Sequence, residues 1–433
     1  MRKIVFIGAG SGFGQRLSTD ILSYPELQDC HLALVDIDER HLQGVEDCVR
    51  RVIDVHKLPA TVEATTDREA VLADADYVII SVAIGGPAYD GVPYYHEITI
   101  PARYGIYQEV GDTVGPGGVF RTLRSAPEMA RIAEDVARLC PQAWVLNYTN
   151  PMAMLTWLMN EIAPINLVGL CHSVQGTASQ LAGYMDIPYE ELRYWVAGIN
   201  HMSWFLELKR DGQDLYPRLR EVMEDEETWK QDPVRFEIFR HFDYFVTEST
   251  RHMSEYVPYF RKSRELMDKF GLLLREPGEV SSDRRWEWLQ DIRQQLMDAE
   301  DHTLKPSGEY AAHIIHAIET NQAYRFNGNV RNNGLIGNLP PECCVEVPCL
   351  VDGTGVRPCH VGDLPAHLAA LNMSNVAVQK LTVEACLEKS KEKAYYATAL
   401  DPLTAGQCTL DQIRAMFDEL WEADRPWLKE YPA

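Results

Sequence analysis

The sequence predicts an α/β chain, with a doubly wound parallel sheet in residues 1–196 and a mixed α+β region in residues 197–433. Three observations carry this. Short apolar runs alternate with helical periodicity through the first third of the chain. A glycine-rich turn joins the first run to the first helix. Past about residue 195, Asp-Gly hairpins replace the alternation.

The elements follow in order. KIVFIGAG (3–10) reads as a buried strand entering the glycine turn. HLALVDID (31–38), DYVIISVA (76–83), AWVLNYTNP (143–151) and NLVGLCHS (166–173) read as four further strands. Between them, SAPEMARIAEDVARLC (125–140) sets Met129, Ile132, Val136 and Leu139 on one helical face. WFLELKRDGQDLYP (204–217) and ECCVEVPCLVDGTGVRPCHVG (342–362) each read as strand, Asp-Gly turn, strand. SDRRWEWLQDIRQQLMDA (282–299) reads as a helix, and two amphipathic helices, about 374–395 and 410–424, close the chain. The boundary between the two regions is a shift in pattern near 195–200, with no low-complexity linker.

Composition narrows the function classes. The chain has 433 residues, 46% hydrophobic and 24% charged, ordinary for a folded protein. Asp and Glu number 64 against 41 Lys and Arg, a formal charge of −23. Such a surface repels phosphate backbones, so nucleic acid and anionic membrane are not expected partners. No long charge-free apolar stretch is present to span a bilayer. The N-terminal apolar run, Ile4 to Ile7, is too short for a signal peptide. The 10 cysteines are scattered rather than framed for disulfides. A cytoplasmic protein with free thiols is expected. Cys343, Cys344, Cys349, Cys359 and His360 crowd one stretch, but their spacing does not give paired C-x₂-C and does not argue for a zinc site.

Five stretches carry chemistry. Gly8, Gly10 and Ser11 lie between strand and helix, where backbone and helix N-terminus receive a pyrophosphate. The third glycine of G-x-G-x-x-G is replaced by Phe13, with glycines at 12 and 14. Asp36 ends the second strand, where an acid receives ribose hydroxyls and disfavours a 2′-phosphate. The set points to NAD on a Rossmann-type sheet, against the plainer alternative of a capped tight turn. Asn150, in NYTNP, ends a parallel strand on the ligand side; it either meets a substrate hydroxyl or only bonds backbone. Cys171 and His172 end the fifth strand, and His201 follows in GINH. Thiolate and imidazole form a transition-metal pair that leaves positions open for catalysis, the alternative being a core cysteine and a core histidine. Glu248, His252 and Tyr256 are spaced i, i+4, i+8 and would share a helical face. Carboxylate, imidazole and phenol suit acid–base work, or ordinary pairing on an exposed helix.

Taken together, these stretches resemble glycoside hydrolase family 4, the NAD- and metal-dependent glycosidases on the lactate/malate dehydrogenase fold. The resemblance runs end to end, through GAGS (8–11), GDTVGPGGVFRTLR (111–124), NYTNPMAM (147–154), GLCHSVQGTA (169–178), AGINHMSWFLEL (197–208) and NGNVRNNGLIGNLPPECCVEVPCLVD (327–352). The last stretch points to the α-galactosidase branch. The resemblance implies a route unlike two-carboxylate hydrolysis: oxidation at sugar carbon 3 by NAD, proton loss at carbon 2, elimination at carbon 1, water addition and re-reduction. It implies Cys171 and His201 as ligands of a divalent metal, most often manganese. It implies Asn150 and His172 as contacts to the sugar hydroxyls, Tyr256 as base at carbon 2, Glu248 as leaving-group acid, and Asp112 facing the substrate. It also implies a dimer or tetramer.

Galacturonides, glucuronides, glucosides and phospho-sugars are the alternative substrates within the family. A substrate anion would need a cation, and Arg121, Arg124 and Arg251 are candidates. From another class, a 2-hydroxy-acid dehydrogenase would need an arginine clamp and a histidine–aspartate pair, which no G-x-H-G-type loop here supplies. A non-catalytic NAD-binding regulator would give Cys171, His201 and Tyr256 no task.

Overall fold

A computed structural model describes residues 1–85, 92–273 and 304–432. The helix expected at 282–299 lies outside the described residues. Strands β1 (Lys3–Ile7), β2 (His31–Val35), β3 (Thr61–Thr65), β4 (Tyr77–Ile80), β5 (Trp144–Asn147) and β6 (Asn166–Gly169) form a parallel array in the order β3-β2-β1-β4-β5-β6. Helices cover both faces, so β1, β2 and β4 are buried along their lengths and read as continuous apolar runs.

The same sheet continues antiparallel. Strands β7 (Arg193–Ile199), β8 (Met202–Arg210), β9 (Gln213–Asp214), β10 (Tyr324–Arg331), β11 (Cys344–Asp352) and β12 (Gly355–Pro358) extend it as β6-β10-β11-β7-β8-β9, with β12 on β11. Asn329 of β10 pairs with Gly169 of β6, and Glu346 of β11 pairs with Gly198 of β7. The change of pattern near 195–200 falls within and just after β7. Both expected hairpins form. β8 and β9 turn at Asp211-Gly212, both at positive φ, and β11 and β12 turn at Gly353-Thr354.

Four expectations need correction. β3 was not expected: it is an edge strand with exposed Glu63 and only Val62 fully inside, so its apolar signal is thin. The helix expected from 125 begins at Gly115 and runs to Leu139. Its first turns, rich in glycine and buried all round, carry no amphipathic period. The helix expected over 374–395 is two, Ala366–Glu388 and Lys391–Leu400, broken where Lys389 turns left-handed and Ser390 caps the second. Glu248 does not share a helix with His252 and Tyr256. That helix spans Thr250–Tyr256 with Ser249 as its cap, and Glu248 precedes it at φ 82. The last helix, Leu410–Ala423, sits as expected, closed by a Thr409–Gln412 capping box. No helix among the described residues is long and apolar enough to cross a membrane.

Candidate active site

One cavity of about 1840 Å³ runs across the C-terminal ends of the parallel strands. Gly8, Gly10 and Asp36 line one end, and Asn150, Cys171 and His201 the other. This is where an open α/β sheet binds ligands.

The glycine turn shapes the first end. Gly8 sits at φ 86, and a Cβ there would run into the Ser81 carbonyl. Gly14, rather than position 13, lets the helix Gly12–Leu22 close on the Ala9 carbonyl; the third glycine of the motif is displaced by one residue, not lost. Ser11 leads this helix without a side-chain cap, which leaves first-turn N–H groups for an anion. Its hydroxyl instead lies 3.0 Å from that of Ser81. Asp36 braces the turn, accepting from Gly10 N at 2.8 Å and Asp38 N at 2.9 Å, and still lines the cavity.

At the other end, strand termini and one hairpin tip converge. Asn150 follows β5, and its Nδ2 donates to Asp112 Oδ2 at 3.4 Å. Asp112 is buried, with Thr113 Oγ1 donating to its Oδ1 at 2.7 Å. Cys171 follows β6. His201 stands at φ 62 in the two-residue turn between β7 and β8. Their Sγ and Nε2 are 3.3 Å apart. Metal–sulfur and metal–nitrogen bonds of about 2.3 and 2.1 Å, meeting at about 90–110°, place the two atoms about 3.1–3.6 Å apart. The pair therefore fits two ligands of one ion. His201, Glu248 and His252 also bring ligand atoms within 4.8 Å of one another.

Burial and neighbouring charges set the resting state of these donors. Burial, then the Cys171-facing carboxylates Glu346 and Glu248, hold the Cys171 thiol well above its ordinary value. Burial, then the charge of His252, push His201 down to about 4, so its ring is a neutral donor. A bound cation inverts this logic for a thiol. His201 Nδ1 and both amide atoms of Asn200 are buried without hydrogen-bond partners among the described residues. His252 Nδ1 lies 2.8 Å from Glu248 Oε2, and its Nε2 is 3.9 Å from Asp112 Oδ1. Burial alone would lower His252, but the charge and hydrogen bond of Glu248 raise it to about 9. Burial would raise Glu248, but His252, then His201, hold it far below the usual carboxylate range. The proton of this pair sits on the imidazole.

His172 and Tyr256 stand apart from that cluster. His172 diverges from Cys171, with a largely exposed ring whose Nδ1 is 3.6 Å from Glu309 Oε1. Tyr256 is 1% exposed, its ring centroid 6.3 Å from that of His201, and it lies behind the residues that line the cavity. Its hydroxyl is buried without a hydrogen-bond partner among the described residues. Burial, then Asp112 and Glu248, raise it well above the ordinary phenol value.

The three arginines are all engaged. Arg124 donates to buried Glu97 through Nε at 2.6 Å and Nη2 at 2.9 Å. Arg251 Nε lies 2.8 Å from Glu109 Oε1, and Arg121 Nε donates to the Asn150 carbonyl at 3.3 Å. Glu97, Glu109 and Glu309 were not singled out from sequence. Their partners lie far off in the chain, and no local spacing marks them.

A family model described as family 4 glycosyl hydrolase matches residues 3–187, and one described as the family 4 glycosyl hydrolase C-terminal domain matches residues 196–404. An α-galactosidase of Bacillus subtilis is 41% identical over 437 residues, covering 100% of both chains. The structure of a 6-phospho-α-glucosidase from gut microorganisms, in complex with NAD and Mn²⁺, superposes with TM-score 0.82 at 21% identity, over 100% of both chains. A malate dehydrogenase from Plasmodium falciparum, in complex with NADH, superposes with TM-score 0.52 at 15% identity, over 90% of this chain and 99% of its own.

Proposed function

Because the chain belongs to glycoside hydrolase family 4, and is thus a glycosidase, we propose that it hydrolyses α-galactosides with NAD and a divalent metal, manganese foremost, as resident cofactors. The observation that carries the reading is the Cys171–His201 pair, 3.3 Å apart, at the far end of the cavity that begins at the glycine turn. Gly8, Gly10, Ser11 and Asp36 would hold the dinucleotide, and Cys171 with His201 the ion. When bound, these groups supply reversible hydride removal at sugar carbon 3 and Lewis acidity at the neighbouring oxygens.

The chain's own residues do the rest. Asn150, oriented by Asp112, and His172, beside Glu309, bind the sugar hydroxyls. Tyr256 is the candidate base at carbon 2, a role that requires its hydroxyl to come forward from behind the cavity lining as the sugar binds. A buried phenol between carboxylates needs a cation beside it to take that proton, and an ion held by Cys171 and His201 would supply that charge. Glu248 serves the leaving group at carbon 1 as one unit with His252, on which the shared proton rests. In this reading residues 1–196 carry the dinucleotide and residues 197–433 complete the sugar site. The enzyme would work in the cytoplasm as a dimer or tetramer.

A neutral sugar is favoured by charge matching. Arg124 and Arg251 already face Glu97 and Glu109, so a uronide or phosphate would compete with fixed carboxylates. The test is nitrophenol release from nitrophenyl α-galactoside and α-galacturonide, each with and without NAD and manganese. Release should require both additions, favour the galactoside and leave no NADH. Galactoside release in the absence of NAD, or NADH formed in proportion to a 2-hydroxy acid consumed, would overturn it.

A further inference from the structure

We propose that Glu255 is a positioning residue for the sugar site, gripping the loop that presents Asp112. The inference rests on the reading of this cavity as a glycosidase site. Glu255 is buried beside Tyr256 in the helix Thr250–Tyr256. Its Oε1 accepts from the backbone N–H of Glu109 at 2.6 Å and of Val110 at 2.8 Å. Its Oε2 accepts from Gly111 N at 3.0 Å and from Gln108 Nε2 at 3.1 Å. Three successive amides of a connecting loop thus turn inward onto one carboxylate, where loop amides ordinarily face water.

The carboxylate is itself balanced. Fully buried Arg261 places Nη2 3.8 Å from Glu255 Oε1 and donates through Nε to Ser254 Oγ at 2.8 Å. A buried charge with a cation and four donors is satisfied, and each of those hydrogen bonds is charge-assisted. The residue after the gripped amides is Asp112, which meets Asn150 and faces His252. One side chain therefore ties the helix that carries Tyr256 to the loop that carries Asp112, across 144 residues of chain. Glutamine at this position would turn an NH₂ towards donors, so the isosteric change breaks half of the grip.

The test joins amide exchange to a double-mutant cycle. In the wild type, amides 109–111 should be protected like core amides. Exchange at open-loop rates there would overturn the inference without any variant. In Glu255→Gln, exchange at 109–111 should rise by about 100-fold while the β1–β6 amides stay protected. The kcat/KM for nitrophenyl α-galactoside should fall by about 30-fold or more in Glu255→Gln, but by less than about 3-fold when the change is added to Asp112→Asn. Additive losses would make Glu255 a merely structural residue and overturn its positioning role. Glu255→Asp keeps the charge one methylene short and should lie between wild type and Gln in both measurements; it serves if Gln does not fold. A silent Asp112→Asn, by contrast, would overturn the place of Asp112 in the sugar site, and the grip would have nothing to position. The two failures are thus distinguishable.

Discussion

A thiol and an imidazole 3.3 Å apart can hydrogen-bond to each other, and the same two atoms can close on an ion. Cys171→Ser should weaken manganese affinity by about 10-fold or more, because serine's hydroxyl is a poor anionic ligand at neutral pH. A metal titration followed by calorimetry reads this without reference to turnover, and unchanged affinity would remove Cys171 from the site. Tyr256→Phe should keep sugar binding and lose about 10²–10⁴ in kcat, the usual worth of general base catalysis. Wild-type turnover in heavy water should place deuterium at carbon 2 of the product; retention of the original hydrogen would speak for direct displacement. Glu109→Gln should release Arg251 to a substrate anion and raise the galacturonide-to-galactoside ratio of kcat/KM by about 2- to 5-fold, the worth of one charge pair whose arginine is exposed. An unmoved ratio would dissociate this pair from specificity. Asn150, Cys171, His172 and His201 were legible because each closes a strand or turns a hairpin, so local pattern placed them at the ligand face. Glu255 and Glu109 were not. What makes them matter is a loop amide or a guanidinium brought up by tertiary folding, and nothing in their neighbourhoods announces it.

Among the elements, the junction of β10, β11 and β7 holds a buried acid. Glu346, fully buried, accepts from Ser203 Oγ at 2.8 Å and Asn329 Nδ2 at 3.4 Å. Burial pushes its carboxyl up to about 7 from an ordinary 4.5, against those two hydrogen bonds and with help from Glu248. The folded chain therefore binds more protons than the unfolded chain between those values. Its stability should fall as pH rises from about 4.5 to about 7, by on the order of 1–3 kcal/mol, and be insensitive to this group above that. Thermal melts of metal-free protein across that range, compared with Glu346→Gln, check it: the glutamine variant should lose this slope, and an unchanged slope would assign it elsewhere. The strands that read as continuous apolar runs, β1, β2, β4, β5 and β6, were legible. Edge strand β3 and the glycine-rich opening of the helix Gly115–Leu139 were not, since neither presents a one-sided apolar stripe.

At the scale of the molecule, the glycine turn and the Cys171–His201 pair line one cavity. NAD at 100 times its Kd should stabilise the fold by about 2.7 kcal/mol and so raise the melting temperature. NADP should raise it less, because in the proposed site the Asp36 carboxyl group is set against a 2′-phosphate. Equal shifts from the two would remove Asp36 from that role. The fold class was legible from alternation, the glycine turn and the hairpins, but the continuity of the sheet was not: β10 comes from residues 324–331 and pairs with β6 from the first region. That continuity has a consequence for any attempt to divide the chain. Severing the chain at residue 196 would cut through β7 and strip β6 of its neighbour β10, leaving raw strand edges on both pieces. Expressed alone, residues 1–196 should therefore aggregate through the exposed β6 edge instead of remaining a stable separate module.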